Sequence, residues 1–130
     1  MSPGDQDPTG GASPSRLAAL LLETALRHIR AGAAAMEAGK PQAAGASLRE
    51  AARIIIDLHT ALDRDRSPEL SAALAPIYRW VCLRLNDAAL LHDAGPAREA
   101  ERAFSPIAEA FQAAAGTLDG REPGKRERPS

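Results

Sequence analysis

The sequence predicts an all-α fold: an antiparallel, up-down-up-down four-helix bundle with disordered N- and C-terminal tails and room for one short extra helix. Three observations predict it. Alanine is the commonest residue while aromatics make up only 3%, a composition that favours helix over strand. Apolar residues recur at three- and four-residue steps through four stretches, as they do along the buried stripe of a helix. Those stretches are divided by Gly39-Lys40-Pro41, Ser67-Pro68 and Asp93-Ala94-Gly95-Pro96, which combine stops and starts with no length left for loops. Connections so short make consecutive helices antiparallel neighbours. The expected domain is residues 13–116, with tails at 1–12 and 117–130.

The first twelve residues hold Pro3, Gly4, Pro8, Gly10 and Gly11 and almost nothing to bury, so they read as disordered. Ser13-Pro14 then supplies an N-cap and a proline at the first helical position. The first helix runs to about Ala38, with Ala18, Leu21, Leu22, Ala25, Ile29, Ala33 and Met36 on one face and Leu26 on its shoulder. Leu20 points away from that face.

The second helix starts at Pro41 and ends near Asp63-Arg64-Asp65-Arg66. Its seam is Ala44, Leu48, Ala51, Ile55, Leu58 and Leu62, the two-in-seven spacing of a helix packed lengthwise in a bundle. Ile54 and Ile56 stand roughly 100° to either side of Ile55. A simple two-layer contact needs neither, so this helix is either buried on several sides or has a shoulder that forms a groove.

Ser67-Pro68-Glu69 opens the third helix, the acid complementing the helix dipole. Leu70, Leu74, Ile77, Tyr78, Val81, Leu85 and Ala88 form its expected core face, and Pro76 within it predicts a kink. Trp80, Leu83 and Leu90 make a second stripe on the other side. That stripe fits a helix buried on two sides, a dimer contact, or a groove for an amphipathic partner. Pattern alone does not choose among them. The fourth helix runs from Pro96 to about Ala115 with Ala100, Phe104, Ile107, Phe111 and Ala114 inward. Pro106 predicts a second kink or a split, and Gly116 a stop.

A formal net charge of −1 gives no electrostatic basis for binding nucleic acid or an anionic membrane. No apolar run reaches the roughly 20 residues of a membrane span, and no basic-then-apolar leader opens the chain. Cys82 is alone, which rules out an internal disulfide and fits a reducing, cytoplasmic setting. His28, His59 and His92 fall on different elements without metal-ligand spacing. Cys82 lacks a cationic neighbour pattern, Asp57 and Asp63 read as solvated charges, and no phosphate loop occurs. No catalytic residue, metal site or cofactor is therefore expected. One run, His28-Ile29-Arg30-Ala31-Gly32, faintly resembles the His-x-x-Lys-Gly of histidine phosphotransfer bundles, with Ala31 in place of the lysine and Arg30 one position off. A phosphotransfer bundle and a dimerising helical bundle are the alternative functions.

Between about residues 13 and 112 the chain resembles the flagellar export chaperone family FliS. Ser13-Pro14-Ser15-Arg16-Leu17 is similar to that family's Ser-Pro-x-x-Leu entry to the first helix. The run Ile54-Ile55-Ile56-Asp57-Leu58-His59-Thr60-Ala61-Leu62-Asp63 resembles its Ile-Ile-x-Glu-Leu-x-x-x-Leu-Asp. Leu74-Ala75-Pro76-Ile77-Tyr78-Arg79-Trp80, followed by Arg84-Leu85 and Ala88, resembles its Leu-x-x-Leu-Tyr-x-aromatic segment. The chain departs from the family at Leu22-Glu23-Thr24, where Tyr-Asp-Gly is usual, at Pro76 and Pro106, and in a tail without tyrosine.

The resemblance implies a cytoplasmic chaperone, not an enzyme. It would hold the disordered C-terminal segment of flagellin, prevent premature polymerisation and deliver the subunit to a component of the export gate. It implies a client groove made by Ile54, Leu58 and Leu62 of the second helix with Ile77, Tyr78, Trp80, Val81, Leu83 and Leu85 of the third. No nucleic acid or membrane insertion is implied, and the chain is expected as a monomer or weak homodimer.

Overall fold

The computed structural model describes residues 14–65 and 68–121, and these form four α-helices. They are α1 (Pro14–Glu37), α2 (Pro41–Asp65), α3 (Pro68–Leu91) and α4 (Ala94–Arg121). Of the expected tails, 1–12 and 122–130 lie outside the described residues. α1 packs against α2 and α4, and α3 packs against the same two, so the helices form a square with α1 and α3 on one diagonal. α1 is gripped more extensively than α3. Among the described residues no helix is long and apolar enough to cross a membrane.

Local chemistry sets the turns. Gly39 adopts φ 76°, the left-handed conformation that costs glycine least. The Gly39 amide donates to the Met36 carbonyl (3.1 Å) and the Lys40 amide to the Ala35 carbonyl (2.9 Å), closing α1 as a Schellman motif. At the other end of the bundle His92 takes the same role with φ 54°, and the Asp93 amide reaches the Ala88 carbonyl at 3.2 Å. Asp93 then caps α4, its Oδ1 accepting from the Gly95 amide at 2.9 Å.

Each helix turns one stripe inward. The large, fully buried side chains are Leu22 and Ile29 of α1, Leu48 and Ile55 of α2, Val81 and Leu85 of α3, and Phe104 of α4. Alanines such as Ala25, Ala33, Ala44, Ala51, Ala97 and Ala100 fill the gaps between them. α1 lies close on α2 at Gly32, where an added Cβ would lie 2.5 Å from Leu48 Cδ2 and 2.7 Å from its Cγ. α4 is fixed in register by charge. Arg98 donates to both carboxylate oxygens of Glu37 (3.0 and 2.8 Å) and to Glu101, which also accepts from Arg30 at 2.8 Å. Hydrogen bonds from Arg98 hold the Glu37 carboxyl below its ordinary range. Burial alone would raise Glu101, but Arg30 and Arg98 outweigh it and lower it. Arg84 ties α3 to α4 through Glu99 at 2.9 Å and braces on Asp87. Pairs this exposed add little stability each; their effect is on register.

Three expectations are corrected. Ser71, not Leu70, turns into the core, and Leu70 and Ile77 lie at the surface. α4 is neither split at Pro106 nor stopped at Gly116; it continues to Arg121. Gly116 does not take a positive φ, and Ala115 beside it is buried, so packing carries the helix past the glycine. α3 runs as one helix through Pro76. Both prolines are exposed, as are Ala72 and Arg102 four residues before them, so the carbonyls left without an amide donor can be hydrated.

Gly32→Ala should lower stability by about 1–2 kcal/mol, because overpacking against buried Leu48 exceeds the roughly 1 kcal/mol of helix propensity that alanine restores. Gly116→Ala, with no neighbour within 4 Å of the added carbon, should raise it by about 0.5–1 kcal/mol. Urea unfolding followed by circular dichroism separates the two; equal shifts in one direction would contradict the packing described.

Candidate functional site

The candidate site is a crevice along the α2/α3 seam. A helix with a single buried stripe leaves its shoulders at the boundary with solvent, and on this seam the shoulders are mainly apolar at one end and mixed with polar and cationic side chains at the other. At one end Ile55, Ile56 and His59 of α2 face Ala75, Tyr78, Arg79, Cys82 and Leu83 of α3 around an almost wholly apolar hollow of about 300 Å³. It continues past Ala52, Cys82, Asn86 and Ala89. At the far end it widens to about 590 Å³ between Pro41, Gln42, Gly45 and Arg49 on α2 and Ala89 and His92 at the end of α3. Cys82 lines the first two hollows, and Arg49 and Ala89 the last two, so the three follow one another along the α2/α3 seam.

Tyr78 forms the floor at the apolar end. Its ring meets His59 edge-on, centroids 5.5 Å apart and planes at 87°, and reaches Phe104 in the core at 6.2 Å. Burial pushes the Tyr78 hydroxyl up to about 12, so it is neutral over any physiological range. The buried Nδ1 of His59 has no hydrogen-bond partner among the described residues. Burial also raises the Cys82 thiol, which keeps it protonated and a wall residue, not a nucleophile.

The residues expected at the groove divide by depth. Leu83 is 57% exposed, Trp80 42% and Ile77 38%; Leu83 lines the crevice, while Trp80 and Ile77 stand outside its lining. Leu58 is half-buried against the core. The Leu62 side chain lies outside the described residues. Ile54, Tyr78, Val81 and Leu85 are buried in the core, and apart from the ring of Tyr78 and an edge of Leu85 they do not face the crevice. They are corrected from groove surface to the layer beneath it, because the core stripe of α3 passes through 78, 81 and 85. Sequence reasoning raises Ile56, 55% exposed, as a possible groove shoulder but places Ile54 at the groove instead, and it misses His59, Ala75, Arg79 and Cys82. Ile56 carries a signal, an isoleucine off the seam; the small residues carry none.

Elsewhere the arrangement offers little chemistry. Among the described residues no three His, Cys, Asp or Glu side chains converge as a metal site. Arg30, one position off the phosphate-steadying place near His28, is engaged with Glu101, and Gly32 faces Leu48 in the core. That geometry gives no support to a phosphoryl carrier at His28.

The class these features define is an all-helical bundle with a lateral crevice and, among its described residues, no His, Cys, Asp and Glu cluster that could hold a metal. A family model described as "Flagellar protein FliS" matches residues 2–118. The "Flagellar secretion chaperone FliS" of Salmonella typhimurium strain LT2 is 32% identical over 102 residues, covering 78% of this chain and 76% of that relative. The chain belongs to the FliS family of flagellar secretion chaperones.

Depth along α3 is testable without any partner. Leu83→Glu should change stability by no more than about 0.5 kcal/mol, as exposed substitutions do. Val81→Glu, two residues away, should cost more than about 4 kcal/mol by burying an unpaired charge. Comparable losses in the two urea titrations would place Leu83 in the core and remove the crevice.

Proposed function

We propose that the protein is a cytoplasmic chaperone that holds the C-terminal segment of flagellin along the α2/α3 crevice until export. The observation that carries this reading is the crevice itself: an apolar channel with exposed Ile56 and Leu83 on its walls, in a chain of this family. An amphipathic segment ordering itself there would bury its apolar face against Ile56, Leu83 and the outer edge of Leu58, then pass over Trp80 and Ile77. Ile54 and Val81 would act as backing, fixing the helix spacing without touching the client, while the ring of Tyr78 and an edge of Leu85 would meet it from the floor of the crevice.

Such a mechanism needs no catalysis and no cofactor. Flagellin's terminal segment is unavailable for filament assembly while its apolar face is covered, and its release is left to a later partner such as an export-gate component. Ordering a disordered segment costs part of the interaction energy, so moderate affinity and ready release are expected together. Without client the chain would be a monomer or a weak homodimer, in which a second copy covers part of the same exposed stripe.

Titration calorimetry with the flagellin C-terminal segment tests the reading. One-to-one binding is expected, weakened at least about tenfold by Leu83→Glu, which corresponds to a loss of about 1.4 kcal/mol or more, with helicity retained. A folded Leu83→Glu variant that binds unchanged would take the client off this crevice; no binding by the unsubstituted protein would reject flagellin as the client.

A further inference from the structure

The charges along the crevice are one-sided. Its lining includes Arg79 at the apolar end and Arg49 at the wide end, and no aspartate or glutamate, in a chain whose net charge is −1. Several arginines elsewhere are paired: Arg27 with Glu23, Arg30 with Glu101, Arg53 with Glu50 and Asp57, Arg84 with Glu99, and Arg98 with Glu37. Arg49 and Arg79 have no carboxylate partner among the described residues, and both are exposed. Arg79 shares its section of the crevice with Ile56, seven positions along α2 from Arg49, or about 10 Å at 1.5 Å per residue. Between the two cations the walls are apolar or small apart from Asn86, and none is charged.

We propose that the crevice selects an amphipathic segment with an acidic flank: apolar side chains fill the hollow beside Ile56 and Leu83, and carboxylates about two helical turns apart pair with Arg79 and Arg49. This deepens the proposed function and rests on the crevice being the docking site. The apolar stretch between the cations favours a protein segment over a polyanion, whose charges would find no partner there. The pairs form at an exposed rim, so they add selectivity and register more than affinity.

Two designed amphipathic helical peptides of about 18 residues make the test. Both carry leucines on one face and no tryptophan; one has glutamates seven positions apart on the flank, the other lysines at the same places. Trp80, the sole tryptophan, reports binding to the full chain by fluorescence, and the flagellin C-terminal segment is titrated alongside. The glutamate peptide should bind about three- to tenfold tighter at low salt, the preference fading as salt screens it. Arg49→Gln combined with Arg79→Gln should abolish the preference, while Arg102→Gln, on exposed α4 surface, should keep it. Equal binding of the two peptides, binding of neither, or a preference that survives the double substitution or is lost equally with Arg102→Gln overturns the proposal. If the glutamate peptide behaves as expected and flagellin does not bind, the client identity fails and the selectivity stands.

Discussion

In a square array each helix has two neighbours, so it can bury one arc of its surface and no more. Side chains beyond that arc meet water or another molecule. α1 exceeds that limit only near its start, at Leu17 and Leu20, and α1 and α4 close their joint with the Arg98–Glu37–Glu101–Arg30 network. α3 exceeds it. Its core arc is filled by Leu74, Tyr78, Val81, Leu85 and Ala88, yet Ile77, Trp80, Leu83, Leu90 and Leu91 remain outside. Solvent alone would not favour so many apolar groups on one helix, and a chaperone for an amphipathic chain has a use for them.

The crevice follows from how the two halves of the bundle differ. α1 and α2 approach closely because Gly32 admits Leu48. Across the α2/α3 seam Tyr78 is inserted edge-on to His59, which props the helices apart above it, and the small side chains of Ala52, Cys82 and Ala89 leave the gap unfilled. The larger side chains that could have closed it, Ile56 and Leu83, turn outward instead. A tight half thus carries the fold, and the looser α2/α3 seam is where docking is proposed.

Much of this was legible in the sequence because it depends on local chemistry. Gly39, Pro41, Pro68 and Asp93 set the helix boundaries by backbone conformation and capping, and the seam of Ala44, Leu48, Ala51 and Ile55 is a matter of helical period. What was not legible depends on which neighbour stands on which side. Ile54 and Ile56 are symmetric about Ile55, and only the placement of α1 and α3 around α2 decides that the first is buried and the second exposed. The same ambiguity put Tyr78, Val81 and Leu85 at the groove when they lie beneath it. Gly116 read as a stop because a glycine often ends a helix, but the buried Ala115 keeps α4 going.

The central claim is that one seam receives the client while the rest is framework. Amide hydrogen exchange of the full chain, with and without the flagellin C-terminal segment, addresses it directly. The account predicts new protection concentrated in residues 49–59 of α2 and 75–92 of α3, with α1 and α4 changed little. Protection centred on α1 and α4, or spread evenly over all four helices, would contradict it.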